Sequence, residues 1–322
     1  MKKIWSLLSL FFIFSPLVAS AHVKWFAESV GTDRPYQFTD MPVIIWIIVS
    51  LCLVFLGAFL EKKFHVPLWF HVHVAKLTPA VLSLASIGFG LAFLLFSING
   101  FIFAPNLPAV GTTGLFLIAI QTIAGAMILF GFYERVGGLL ILFLFALGIK
   151  EYGAFEMIDT LEMLGMAMYA TIIGRPKWRI VEASWIKSMV GQLESYAVPL
   201  LRVGVGLNLI VLAFTEKILA PELTQNFLAG HNWNFMQNLG FHFFTDYWFA
   251  FSAGVAEALI GIFLVFGFVT RLTTLVLAMF LITTLVLLGP IELVGHLPHF
   301  SIAVVLLALG AGSRLKLLKA DW

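Results

Sequence analysis

Arg202-Val203-Gly204-Val205-Gly206, followed by Leu219-Ala220-Pro221-Glu222-Leu223, repeats an earlier stretch at one constant offset. That earlier stretch is Ser86-Ile87-Gly88-Phe89-Gly90, followed by Phe103-Ala104-Pro105-Asn106-Leu107. Further on, Glu257-(x3)-Gly261-(x5)-Gly267-Phe268-(x2)-Arg271 repeats Gln121-(x3)-Gly125-(x5)-Gly131-Phe132-(x2)-Arg135 at a second constant offset. One apolar pattern written twice reads as two copies of one membrane module. The copies differ in charge. The second carries Arg202, Glu216, Lys217 and Glu257, where the first has Ser86, Gly100, Phe101 and Gln121. The second half therefore reads as equipped for binding or chemistry and the first as scaffold.

Composition places both copies in a bilayer. The 322 residues are 61% hydrophobic and 11% charged, with a mean hydropathy of +1.02; a soluble domain is about 25% charged. Long apolar stretches at that composition mean an integral membrane protein. The net charge of +2 says little about partners, and no basic cluster with interleaved aromatics points to nucleic acid. The single cysteine, Cys52, lies in an apolar run. Without CxxC or CxxCH, the chain has no dithiol exchange of its own, no c-type haem attachment and no cysteine set for an iron–sulfur cluster. A redox role would borrow a quinone, a metal or a partner subunit.

The first residues read as a secretory signal over 1–21. Lys2 and Lys3 precede the apolar run Trp5–Phe14, Pro16 breaks it, and Ala19-Ser20-Ala21 fits a cleavage site. A periplasmic segment, a first span and an inner loop follow over 22–78. Nine spans are expected, near 41–60, 79–99, 112–132, 136–150, 155–174, 196–217, 247–268, 272–289 and 297–312. With the N-terminus outside, the inner segments hold Lys62, Lys63, Lys76, Arg135, Arg175, Lys177, Arg179, Lys187, Arg271, Arg314, Lys316 and Lys319. The outer segments hold only Lys24, Arg34, Lys150 and Lys217. That bias places the mature N-terminus in the periplasm and the C-terminus in the cytoplasm. A cleaved signal followed by helical spans implies the bacterial cytoplasmic membrane. The expected fold is all-α and polytopic: one single span, then two tandem four-helix bundles over 79–175 and 196–322, joined by an inner linker over 176–195. An even number of spans per copy makes the repeats parallel.

Charge inside an apolar span is costly, so each instance is a site candidate. Glu257 lies mid-span among Ala253, Gly254 and Ala256 and reads as a proton carrier or head-group partner. Arg202 lies about five residues, roughly 8 Å, into the preceding span and reads as its ion-pair partner. Lys217 ends that span and can point back into the bundle. Glu216 reads as an interfacial anchor, because adjacent residues do not share a helix face. Arg135 and Arg271 end matching spans and read as topology anchors. Glu162 is the deepest acid of Glu156, Asp159 and Glu162. Met163, Met166 and Met168 follow and read as apolar filler rather than a Cu(I) path. His296 and His299 enter the last span around Pro298, with His299 the better placed. Pro221–Trp248 reads as an interfacial segment carrying His231 and His242, and His65, His71 and His73 as an amphipathic surface segment. After cleavage, His22 would be the free N-terminus, where amine and imidazole together chelate copper.

Residues 200–312 resemble the DoxX/DoxD-like membrane family. The resemblance rests on Leu200-Leu201-Arg202-Val203-Gly204-Val205-Gly206, on Glu216-Lys217, and on the run Glu257-Ala258-Leu259-Ile260-Gly261 through Gly267-Phe268-Val269-Thr270-Arg271. The first bundle looks like a degenerate copy. The resemblance implies a four-helix bundle in the cytoplasmic membrane, with some members linked to thiosulfate:quinone oxidoreduction and others to oxidative-stress complexes. The resulting expectation is a membrane subunit of a redox or sulfur-handling complex. In it the second bundle holds a quinone or small polar ligand at Arg202, Lys217, Glu257 and His299, with Glu162 and His296 nearby. The alternatives are a small-molecule transporter and periplasmic copper handling through His22.

Overall fold

In the computed structural model the described residues are 34–63, 68–174, 184–231, 233–289 and 291–318. The expected signal, His22 and most of the basic joint lie outside them. Eleven helices carry the described fold. They are α1 (Met41–Lys63), α2 (Leu68–Ile98), α3 (Gly111–Phe130), α4 (Glu134–Tyr152), α5 (Leu161–Ile172), α6 (Ser184–Val190), α7 (Ala197–Ala213), α8 (Pro221–His231), α9 (Asp246–Phe266), α10 (Thr270–Leu288) and α11 (Ile291–Leu309). A turn at Ala154–Met157 and a 3-10 turn at Ile158–Thr160 lead into α5. The protein is an all-helical polytopic membrane protein.

Each of the nine expected spans coincides with a helix. Six helical stretches are long and apolar enough to cross a membrane by length and composition: α1, His73–Ile98 of α2, α3, Ser184–Ile218 through α7, α9 and α10. The other three differ for visible reasons. Helix α4 carries Glu134, Arg135, Lys150 and Glu151 at its ends, α5 is short, and the apolar part of α11 is Leu293–Leu309. Two expected boundaries move. Helix α11 begins at Ile291, before residue 297. Helix α2 begins at Leu68, well before residue 79, and Pro79 lies inside it. A membrane helix tolerates such a proline because neighbouring groups can take up the freed backbone.

The shared Gly-Phe pairs end α3 and α9. Gly131 (φ 68) and Gly267 (φ 74) adopt the left-handed conformation. The following Phe132 and Phe268 amides then reach back to the Met127 and Phe263 carbonyls. This closure satisfies carbonyls that lack intrahelical partners, and glycine adopts it without a Cβ penalty.

Helices α2, α3, α4, α5, α7, α9, α10 and α11 close a ring in that order, with α11 returning to α2. The two halves are thus joined twice, α5 against α7 and α11 against α2, around one hydrophobic core drawn from both. Small residues set these joints. At the first, a Cβ on Gly204 would come within 3.0 Å of the Gly165 Cα. At the second, Gly88 faces Ser301. Within the halves, α2 meets α3 at Gly90 and Gly125, and α7 meets α9 at Gly206 and Gly261. Such backbone approach is what drives helix association where lipid is as apolar as leucine.

Helix α1 packs along α9. Gly57 lies under the Phe263 ring, and the Trp46 indole donates to the Ser252 hydroxyl at 2.8 Å. Most of its large side chains are exposed and apolar, as suits a lipid-facing helix.

A leucine at Gly204 is expected to force α5 from α7 and destabilise the protein by about 2 kcal/mol or more. Gly230→Ala, which meets nothing within 4 Å, should cost no stability. Denaturation in detergent, followed by circular dichroism, checks both.

Candidate functional site

Helix α7 does not end as an ordinary helix. Phe214–Ile218 forms a π turn, and the Thr224 hydroxyl from α8 donates to the Glu216 carbonyl at 3.0 Å. The widened turn changes the angular spacing, so the neighbours Glu216 and Lys217 both line one cavity. Glu216 is only 1% exposed, which corrects its reading as an interfacial anchor. Such π turns recur at functional sites. Opposite, Gly254 on α9 leaves room for the Lys217 stem, and Lys217 Nζ lies 2.7 Å from Glu257 Oε2.

A second polar cluster crosses the seam between the halves. His299 Nε2 on α11 lies 2.7 Å from Glu162 Oε2 on α5, with both side chains nearly fully buried. Asn208 Nδ2 on α7 donates to the same oxygen at 3.0 Å. The His296 ring lies 5.7 Å from that of His299. A buried carboxylate persists only with such partners. His296 and His299 line the same cavity as Lys217 and Glu257, while Glu162 acts through His299. Four of the six described residues singled out from sequence thus gather at one cavity, and Glu162 supports it from behind.

The cavity has a volume of about 340 Å3, within the usual range for small-ligand sites, roughly 300–1,000 Å3. Its charged and imidazole groups come from the π turn, α9 and α11, while Leu209 and Leu212 of α7 and the leucines and Phe280 of α10 supply apolar walls. Phe227 and Leu228 of α8, with Trp233, cover one end. His231 stacks on Phe227 at 4.4 Å between ring centroids.

Arg202 is placed elsewhere. It is fully buried and absent from the cavity wall, so the expected pair with Glu257 is not formed. Its guanidinium donates to the carbonyls of Leu264, Val265, Ala311 and Leu315. Leu264 and Val265 lie in the last turn of α9, where the helix dipole favours a cation, and Ala311 and Leu315 lie in the tail that follows α11. Arg271 repeats the device on Leu307 and Ala308, and Arg135 on Ile173. The two arginines kept in both copies therefore close helix ends. Glu61, at the end of α1, was not singled out from sequence. It accepts from the Val269 amide at 2.8 Å and lies 4.0 Å from Lys316. In the tail, burial lowers the Lys316 ammonium from its ordinary range; Glu61 opposes this, while Arg202 and Arg271 add to it.

The corresponding region of the first half is filled. The Gln121 amide donates to Phe93 O, Ser97 Oγ and Phe101 O and accepts from the Phe103 amide. The Phe103 ring, fully buried, packs against Phe93 and Phe145. Met163 and Met166 are core. Asn208 also escaped notice, although a polar side chain among Val205, Gly206, Leu207 and Leu209 is the kind of residue that intramembrane cost should flag. Among the described residues no group of three or more His, Cys, Asp or Glu could hold a metal ion. The copper reading rests on His22, outside them.

Residues 197–290 match the model of the DoxX family, a stretch from the start of α7 past the end of α10. It contains Arg202, Asn208, Lys217 and Glu257, and leaves Glu162, His296 and His299 outside. No curated protein matches the chain, and no solved structure does.

Arg202→Ser, which copies Ser86, is expected to lower unfolding free energy by about 3 kcal/mol, because carbonyls at the end of α9 and in the tail after α11 lose a charged donor. Thermal unfolding in detergent measures this. Glu257→Gln, which copies Gln121 and leaves a polar group facing Lys217, is expected to change it by less than half as much.

Proposed function

We propose that the cavity at Lys217, Glu257 and His299 binds a small ligand with a polar head, and that the protein is a ligand-binding membrane subunit of a redox or sulfur-handling complex. The observation that carries this reading is the gathering of an ion pair and a carboxylate-held histidine at one cavity with apolar walls. A few convergent polar groups in an apolar pocket are the usual form of a binding site. The resemblance of the second half to the DoxX/DoxD-like family supports the redox assignment, and a quinone is the ligand class it favours.

Each side chain has a definite part in this reading. Lys217 donates to a head-group oxygen, such as a quinone carbonyl. Glu257 accepts from a head-group hydroxyl, such as that of a quinol, and can exchange a proton with it. His299, oriented by Glu162 through Nε2, presents the rest of its ring to the cavity. Glu162 is a positioning residue contributed by the first half, which makes that half part of the site. The basic residues Lys62, Arg135, Arg271, Arg314 and Lys316 cluster at helix ends and the tail. By the positive-inside rule that end faces the cytoplasm, and α8 with the cavity mouth faces the periplasm.

Titration of the detergent-solubilised protein with a short-chain benzoquinone tests the site. Saturable binding is expected, weakened at least tenfold in Glu257→Gln and in Lys217→Met, roughly 1.4 kcal/mol or more. Glu162→Gln should shift the pH dependence of binding while the unfolding profile stays cooperative. Unchanged affinity in both cavity variants removes the assignment.

A further inference from the structure

The cavity has an open flank, and that flank lies on a helix that faces lipid. In the first half, α3 and α4 pack closely. A Cβ on Gly137 would lie 3.0 Å from the Ala124 carbonyl oxygen, so the pair Gly137-Gly138 lets α4 settle onto its neighbours. At the aligned positions the second half carries Thr273 and Thr274, both buried. There α9 and α10 pack only loosely. The looser pairing leaves room between α9 and α10 for the cavity, which residues of both helices line.

The rim of that space also faces outward. Phe280 and Leu287 line the cavity and are 54% and 55% exposed. Thr283, another lining residue, is exposed as well. All three lie within α10, a helix long and apolar enough to span a membrane, so the surface they expose is at bilayer depth. The threonine hydroxyls do not make this opening polar. Thr283 donates to the Met279 carbonyl and Thr284 to the Leu281 carbonyl, both in their own helix. Their methyl groups are left to contact an apolar guest.

From this geometry we infer that the ligand is an amphiphile dissolved in the bilayer, which enters sideways between α9 and α10. Its polar head sits at Lys217, Glu257 and His299, and its hydrocarbon tail lies along Leu277, Leu281 and Leu287 toward the lipid. The inference rests on the proposed site and adds its route and the apolar half of its ligand. A tail that stays in the bilayer explains why a cavity of about 340 Å3 suffices, since only the head and first carbons need enclosure. Because the tail passes from lipid to an equally apolar wall, chain length acts mainly by concentrating the ligand in the bilayer rather than by new contacts at the site.

Two photoreactive alcohols decide the route in protein reconstituted into phospholipid nanodiscs. One carries a ten-carbon chain with a diazirine near the hydroxyl; the other has the same head and no chain. Labelling is read at Glu257 by peptide mass spectrometry and normalised to labelling of α1. The long probe is expected to label Glu257 at least tenfold more than the short one. Thr283→Trp, which obstructs the flank from an exposed position, should cut this at least fivefold. Phe227→Ala, which widens the α8 end, should not raise it. Unaltered long-probe labelling in Thr283→Trp overturns sideways entry. So does strong short-probe labelling that rises in Phe227→Ala; that result keeps the binding site but supplies it from water. Absence of label at Glu257 from either probe overturns the inference too, and quinone titration then separately decides the site itself.

Discussion

The contact of His299 with Glu162, with Asn208 on the same oxygen, is the point on which the rest depends. It draws one side chain from each of three helices, α11, α5 and α7, and two of those belong to opposite halves of the chain. In hydrocarbon none of these groups can turn to water, so each is committed to the others. The joints beside them are close because Gly165 and Gly204 meet backbone to backbone and Gly88 accepts Ser301. Polar specificity and close packing therefore fall on the same seam. A shift of α5 along α7 would open the glycine contact and strand a carboxylate at once.

The same rule governs the other end of the helices. Three arginines, Arg135, Arg202 and Arg271, place their charge on carbonyls at helix ends, and Arg202 reaches the tail after α11 as well. A guanidinium is always charged and offers five donors in a fixed fork, so it can satisfy several carbonyls where a lysine meets fewer. Any side chain at Gly310 would run into the Arg271 guanidinium, and one at Gly267 into that of Arg202. Those glycines are needed for the cation as much as for the turn. Through Arg202 the end of α9 is tied to the tail that follows α11, at the end of the bundle away from the cavity.

Much of this was legible in the sequence, for a physical reason. Charge in an apolar span is conspicuous, so Lys217, Glu257 and Glu162 stood out before any geometry, and His299 followed from its position near Pro298. What was not legible was the identity of partners. Arg202 stands out as buried charge, but its acceptors are backbone carbonyls, which every residue possesses and no motif marks. Glu216 was misread because the rule that neighbours do not share a face assumes 3.6 residues per turn, and the π turn breaks it. The helix running through Pro79 was hidden because a proline that stops helices in water is accommodated in a membrane.

The contrast between the halves shows how a filled core becomes a cavity. Replacing Gln121 by a glutamate alone would bury an unpaired carboxylate, and replacing Phe101 by a lysine alone would bury an unpaired cation; either change is costly. At the aligned positions the second half carries both, as Glu257 and Lys217, and they pair at 2.7 Å. The backbone behind the pair also takes a different course. Phe103 turns its ring into the first half, whereas Leu219, aligned with it, is 71% exposed. The π turn just before Leu219 is what redirects the chain. Charge pairing and the π turn thus act together. Without the turn the cavity would be plugged, and without the pair it would lose much of its polar floor.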